Sequence, residues 1–120
     1  MKLLVCGTRG RGSREFIKEK LMECYNSDLA LNPRGAPFEF EIIEGCCPDS
    51  ADEVAEEWAK EHGVKINHYP STSGNYLKRN VEMVNACNMV FAFWDGFSYG
   101  TAHTIARATM KRKPVAIFKV

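Results

Sequence analysis

Met89-Val90-Phe91-Ala92-Phe93-Trp94-Asp95-Gly96-Phe97-Ser98-Tyr99-Gly100-Thr101 is an apolar run that breaks into a glycine-flanked loop and then resumes with helical spacing as far as Met110. A short β-branched and aromatic run bounded by glycine reads as a buried strand, so the loop lies where strand gives way to helix. In open α/β sheets the ligand crevice lies outside the carboxyl ends of the strands, and a helix that begins there offers unpaired backbone N–H groups to an anion. Gly96 and Gly100 let the backbone approach a ligand closely, while Ser98 and Thr101 supply hydroxyls. The same residues also suit a tight turn with Thr101 as the helix cap.

Upstream, Lys2-Leu3-Leu4-Val5-Cys6 ends at Gly7 and reads as the first, central strand of a doubly wound sheet. The loop after it, Gly7-Thr8-Arg9-Gly10-Arg11-Gly12-Ser13-Arg14, precedes a helix carrying Phe16, Ile17, Leu21, Met22 and Tyr25 on one face, with Ser13 as its cap. Its glycines follow G-x-x-G-x-G, which is neither the dinucleotide fingerprint nor the Walker pattern. Arg9, Arg11 and Arg14 around a helix start nevertheless suit a phosphate, because guanidinium and backbone N–H donors act together there. A solvated basic loop is the plainer alternative.

The chain of 120 residues is 45% hydrophobic and 26% charged, the composition of one globular domain spanning residues 1–120. A net charge of +1 argues against a broad basic face for nucleic acid. No stretch approaches the ~18 apolar residues of a membrane span, and no separate apolar leader precedes the first strand, so a cytoplasmic protein is expected. Cys6, Cys24, Cys46, Cys47 and Cys87 show no metal-binding spacing, which points to reduced thiols, no bound metal and no cofactor.

Asn26 to Pro37 has loop chemistry, with Asn-Pro, Arg-Gly and Pro in sequence. Phe38 to Ile43 alternates and then turns apolar, giving the second strand, with Glu44 and Gly45 at its carboxyl end; Glu44 is a candidate for holding a ribose hydroxyl. Cys46-Cys47-Pro48-Asp49-Ser50 leads into a helix with Ala51, Val54, Ala55, Trp58 and Ala59 on one face, ended by Gly63. The vicinal cysteines read as small loop residues, since no nearby histidine is evident in the sequence. Asp52 lies in the first turn, where the helix dipole favours a carboxylate. Val64 to Pro70 forms a third strand nearer a sheet edge, and Ser71 to Asn75 a polar loop. The next helix carries Leu77, Val81, Val84 and Cys87 on its apolar face, with Arg79 and Asn80 near its start. The last helix presents Ala102, Ile105, Ala106 and Thr109, with Lys111, Arg112 and Lys113 favourable to its dipole. Pro114 to Phe118 is the final strand.

Five strands alternating with four helices predict a three-layer, Rossmann-like α/β/α fold with a parallel sheet in the order 3-2-1-4-5. That order puts the loops after strands one and four side by side at the switch point, so that Arg9, Arg11, Gly96, Ser98, Gly100 and Thr101 face one crevice.

Gly7-Thr8-Arg9, Gly45 through Asp52, Arg79-Asn80 with Met83, and Phe91 through Thr101, taken in order, resemble the SLOG superfamily of Rossmann-like proteins. This group includes the lonely-guy enzymes and the DNA-processing protein DprA, and the chain is most similar to its compact YspA-like branch of bacteria and phages. The resemblance covers nearly the whole chain. It implies a nucleotide or nucleotide-derived ligand held by Gly7, Thr8, Arg9, Gly45, Asp52, Arg79, Asn80, Gly96, Ser98, Gly100 and Thr101. In the lonely-guy motif a glutamate serves N-glycosidic cleavage beside an upstream arginine; Arg79 matches the arginine, and Thr104 stands at the glutamate. A threonine cannot act as the carboxylate.

Three functions stay open on this reading. One is a sensor or sequestering module for a nucleotide or nucleotide sugar. Another is a phosphoribohydrolase-like enzyme acting on nucleoside monophosphates, with Arg79 and one of Glu44, Asp52, Glu82 or Asp95 in catalysis. The third is DprA-like nucleic-acid binding through the basic loop. Phe97 and Tyr99 in an exposed loop add the expectation of a homodimer or larger homo-oligomer.

Overall fold

The computed structural model describes residues 1–71 and 74–120. Its elements are β1 (Lys2–Gly7), α1 (Arg14–Leu31), β2 (Glu41–Glu44), α2 (Ala51–Glu61), β3 (Lys65–His68), α3 (Tyr76–Ala86), β4 (Met89–Trp94), α4 (Tyr99–Met110) and β5 (Val115–Lys119). The strands form one parallel sheet in the order β3-β2-β1-β4-β5, the order expected from the alternation of strand and helix. No helix among the described residues is long and apolar enough to cross a membrane.

Alternation along the central strands divides the core between two faces. Leu3, Val5, Ile42, Phe91 and Phe93 pack with Ile17 and Leu21 of α1 and with Val54, Ala55 and Trp58 of α2. Leu4, Cys6, Ile43, Val90 and Ala92 pack on the other side with Met83, Val84 and Cys87 from α3 and its end, and with Ala108 of α4. Both faces of β1 are therefore dry, as a central parallel strand requires.

Several boundaries differ from the sequence reading. Helix α1 runs through Asn26, Ser27 and Asp28 to Leu31, so the expected loop begins later. The first two of these side chains are exposed and cost the helix little. The true breaker is Pro33, which drives Asn32 to an extended conformation (ψ 131°). Phe38 and Phe40 precede β2 instead of opening it, and pack edge-on against Tyr25 with ring centroids 5.3 and 5.2 Å away. Pairing starts at Glu41, opposite Lys2 and Lys65.

The buried stripes of the last two helices also differ from expectation. On α3 it is Arg79, Asn80, Met83 and Val84 that are buried, while Leu77 is exposed. On α4 it is Thr101, Thr104 and Ala108, not Ala102, Ile105, Ala106 and Thr109. The apolar-stripe rule fails where helices border a polar cleft, because a polar side chain buries readily once its hydrogen bonds are met. Lys113 adds a further difference: its ammonium donates to the carbonyls of Val84, Asn85 and Cys87 (2.7, 3.0 and 2.6 Å). It thus neutralises the carboxyl end of α3, not that of its own helix.

Candidate functional site

At the carboxyl edge of β1, β2 and β4 lies a cleft of about 460 Å³, within the usual range for small-molecule sites. Its floor and walls come from the loop after β1 (Gly7, Thr8, Arg9), the start of α2 (Cys47, Asp52), the inner face of α3 (Arg79, Asn80, Met83) and the start of α4 (Ser98, Gly100, Thr101, Thr104). Nine of the eleven ligand residues expected from sequence thus line one cavity.

The remaining two act from behind it. Gly45 is the surface against which the Arg79 guanidinium packs: a Cβ there would lie 2.8 Å from Arg79 Cζ. Gly96 has a φ of 92°, a left-handed turn conformation that glycine adopts without strain. Gly7 is needed for a close approach too, since a Cβ would stand 2.8 Å from the Phe93 carbonyl oxygen. The polar loop expected over Ser71 to Asn75 includes Thr72 and Ser73, which lie outside the described residues; Ser71 reaches the cleft.

Three contacts tie the loops together. Thr8 N–H donates to the Phe93 carbonyl (2.9 Å), and Gly10 N–H to that of Asp49 (2.7 Å). Thr8 Oγ1 donates to Asp95 Oδ1 (3.2 Å). The same Asp95 oxygen accepts from Phe97 N–H (2.8 Å) and Ser98 N–H (2.9 Å). Those two amides hold the Asp95 carboxyl below its ordinary range. Asp95 is thus a clamp for the β4–α4 loop, outside the cleft lining, and Glu82 is exposed on α3, also outside it.

The clamp stops one step short of the helix. Ser98 is the N-cap of α4 and makes no side-chain cap bond, so the cap role considered for Thr101 falls elsewhere. The first intrahelical bond is Ala102 N–H to the Ser98 carbonyl (3.1 Å). The amides of Tyr99, Gly100 and Thr101 therefore have no intrahelical acceptor. Thr101 Oγ1 lies 3.4 Å from Ser98 Oγ, and Thr104 Oγ1 donates back to the Gly100 carbonyl at 3.2 Å. Thr104 is buried and spent on its own helix, with no basic group to offer a substrate.

Arg79 is a buried cation satisfied by carbonyl dipoles. Its Nη1 donates to the carbonyls of Gly45 (2.5 Å) and Tyr69 (3.1 Å), and its Nε to Asn80 Oδ1 (3.0 Å). Asn80 Nδ2 then reaches the Gly100 carbonyl at 3.4 Å, joining α3 to the start of α4. Asp52 Oδ2 accepts from the amides of Gly45 (2.9 Å) and Cys47 (3.3 Å), leaving Oδ1 without a hydrogen bond among the described residues. Burial, opposed by the Cys47 amide, pushes the Asp52 carboxyl up to about 6. The thiols of Cys6 and Cys47 are pushed up by burial and then by Asp52, so both stay protonated at neutral pH and are poor nucleophiles.

Of the three loop arginines only Arg9 lines the cleft. Arg14 pairs with Glu57 and Glu53 of α2, and Arg11 is exposed on the far side of the loop beside Asp49. Glu44 is fully buried but outside the cleft lining, because two-residue alternation after Ile42 sends its side chain to the α2 face. Sequence reasoning missed Tyr76 as a site residue: it lines the cleft from the first turn of α3, and its ring lies 3.7 Å from where a Gly100 Cβ would be. An aromatic residue directly after a polar loop at the carboxyl edge was the available signal. Comparison of the chain with protein-family models, with curated proteins and with solved structures finds no match.

Proposed function

We propose that the cleft binds a nucleotide or nucleotide-derived ligand, and that the chain is a binding module of the SLOG kind. The observation that carries this reading is the first turn of α4, which no side chain among the described residues caps and whose Gly100 and Thr101 face a cleft of nucleotide size. The phosphate sits on those amides and the hydroxyls of Ser98 and Thr101, with exposed Arg9 closing over it. Asp52 and Asn80 accept and donate to the sugar hydroxyls, and Tyr76 offers a ring for the base. A native mass spectrum of the purified protein, followed by incubation with nucleoside monophosphates and product analysis, tests it. The expected result is retained nucleotide and no free base; no binding of any nucleotide overturns it.

A second reading, N-glycosidic hydrolysis, is favoured by one feature: Asp52 is a buried carboxyl whose pKa burial raises to about 6, and its Oδ1 has no hydrogen bond among the described residues. Release of base from adenosine monophosphate near ~1 per second, abolished in Asp52→Asn, would establish that enzyme. Nucleic-acid binding is weakened as a reading by the diversion of Arg14 into ion pairs with α2. Self-association fits the 88% exposure of Phe97 and 65% of Tyr99. Light scattering giving the mass of one chain at every concentration would contradict it.

A further inference from the structure

Behind the cleft, on the α2 face of the sheet, a second cluster is independent of nucleotide binding. Glu44 and His68 are register partners at the ends of β2 and β3, so their side chains emerge together. Cys46 follows two residues after Glu44 with φ 61°, a left-handed backbone that folds the chain back over the carboxylate. Cys46 Sγ lies 3.4 Å from Glu44 Oε1 and 3.5 Å from His68 Nδ1, and that nitrogen is 2.6 Å from the same Oε1. These three atoms are the donor types that zinc takes.

We propose that Glu44, Cys46 and His68 form a binding site for a zinc-like divalent cation, with the fourth position left to water. Bond lengths of ~2.0–2.3 Å in a tetrahedral site give ligand separations of ~3.5 Å to sulfur and ~3.3 Å between nitrogen and oxygen. Both sulfur separations already match. The nitrogen–oxygen edge must widen by ~0.7 Å to meet the tetrahedral value. His68 has the freedom to do so, since its side chain is 45% exposed on an edge strand.

Two further observations point to a ligand. Glu44 is fully buried, and its two oxygens are fixed in direction: Oε2 is held by Cys46 N–H (2.9 Å), while Oε1 is aimed at the point where Cys46 Sγ and His68 Nδ1 converge. The second nitrogen of His68 faces Glu56 Oε1 of α2 at 3.6 Å, the outer carboxylate that commonly orients a metal-bound imidazole. Binding exchanges the Cys46 thiol proton for the cation, and that proton leaves to solvent; His68 ligates through Nδ1 as the neutral tautomer that carries its one proton on Nε2, where it faces Glu56.

The test is titration of the full chain with zinc against a chromophoric chelator, and with cobalt to read the thiolate-to-metal band. One equivalent is expected to bind with that band present. Cys46→Ser, an exposed near-isosteric change, and His68→Gln, whose amide can still donate to buried Glu44, are each expected to weaken zinc by more than ~100-fold, and Glu56→Gln by about 10-fold, with unfolding curves recorded to confirm that each variant is folded. Cys24→Ser, on α1, retains the full signal. Equal affinity in wild type and Cys46→Ser, a cobalt adduct without the thiolate band, or no binding in wild type at micromolar zinc would each show that the cluster is only an ion pair with a neighbouring thiol.

Discussion

The two helices that begin on either side of the cleft treat their first amides in opposite ways. At α2, Ser50 Oγ accepts from Asp52 N–H (3.2 Å), Glu53 accepts from Asp49 N–H (2.8 Å), and the first turn carries two carboxylates. At α4 the first turn carries no acid and no side-chain cap, and Asp95 takes only the two amides that precede it. Of these α2 groups only Asp52 lines the cavity, so that end offers a carboxylate acceptor while the α4 end offers donors. The contrast teaches a ligand orientation: an anion at α4, and hydroxyl or amino donors at Asp52.

The largest effect is expected from removing the wall between these ends. Arg79→Met leaves the carbonyls of Gly45 and Tyr69 without their donor, and about 4 kcal/mol of stability should be lost in urea unfolding. A loss under about 1 kcal/mol would mean that the guanidinium is free to serve a ligand instead.

Next comes the acceptor end. Burial raises Asp52 from an ordinary 3.8 to about 6, so the folded chain binds this proton more tightly than the unfolded chain does. Its contribution is present in full below pH ~4, fades as pH rises to ~6, and is constant above, a change of about 3 kcal/mol at most. Asp52→Asn should flatten that part of the stability–pH curve. An unchanged slope would place the proton on another group.

The donor end is probed by Thr101→Val, which removes the hydroxyl while keeping the volume of a buried side chain. Calorimetry at fixed salt should show adenosine monophosphate weakened about tenfold, or ~1.4 kcal/mol, with adenosine itself unaffected. Equal affinities for the nucleotide would remove this helix start from the site.

Much of this frame is legible in the chain itself. Strand order follows from alternation of apolar runs with amphipathic segments, and the cleft loops announce themselves through Gly7, Gly96 and Gly100. What escapes is what depends on tertiary partners. Arg79 and Asn80 are named as site residues by resemblance, but their burial is not foreseen, because the carbonyls of Gly45, Tyr69 and Gly100 that satisfy them come from distant parts of the chain. Phe38 and Phe40 look like strand residues because alternation cannot distinguish pairing from packing on Tyr25. The meeting of Cys46 with His68 is invisible for a similar reason: 22 residues separate them, and only the β2–β3 register aligns them.

The most direct test of the central claim is amide-resolved NMR of the protein titrated with adenosine monophosphate. If α4 seats the phosphate, the Gly100 and Thr101 amides shift most and saturate together, while those of Phe97 and Ser98, already held by Asp95, move little. Shifts concentrated at the start of α2, or no saturable shift at Gly100 and Thr101, would contradict the account.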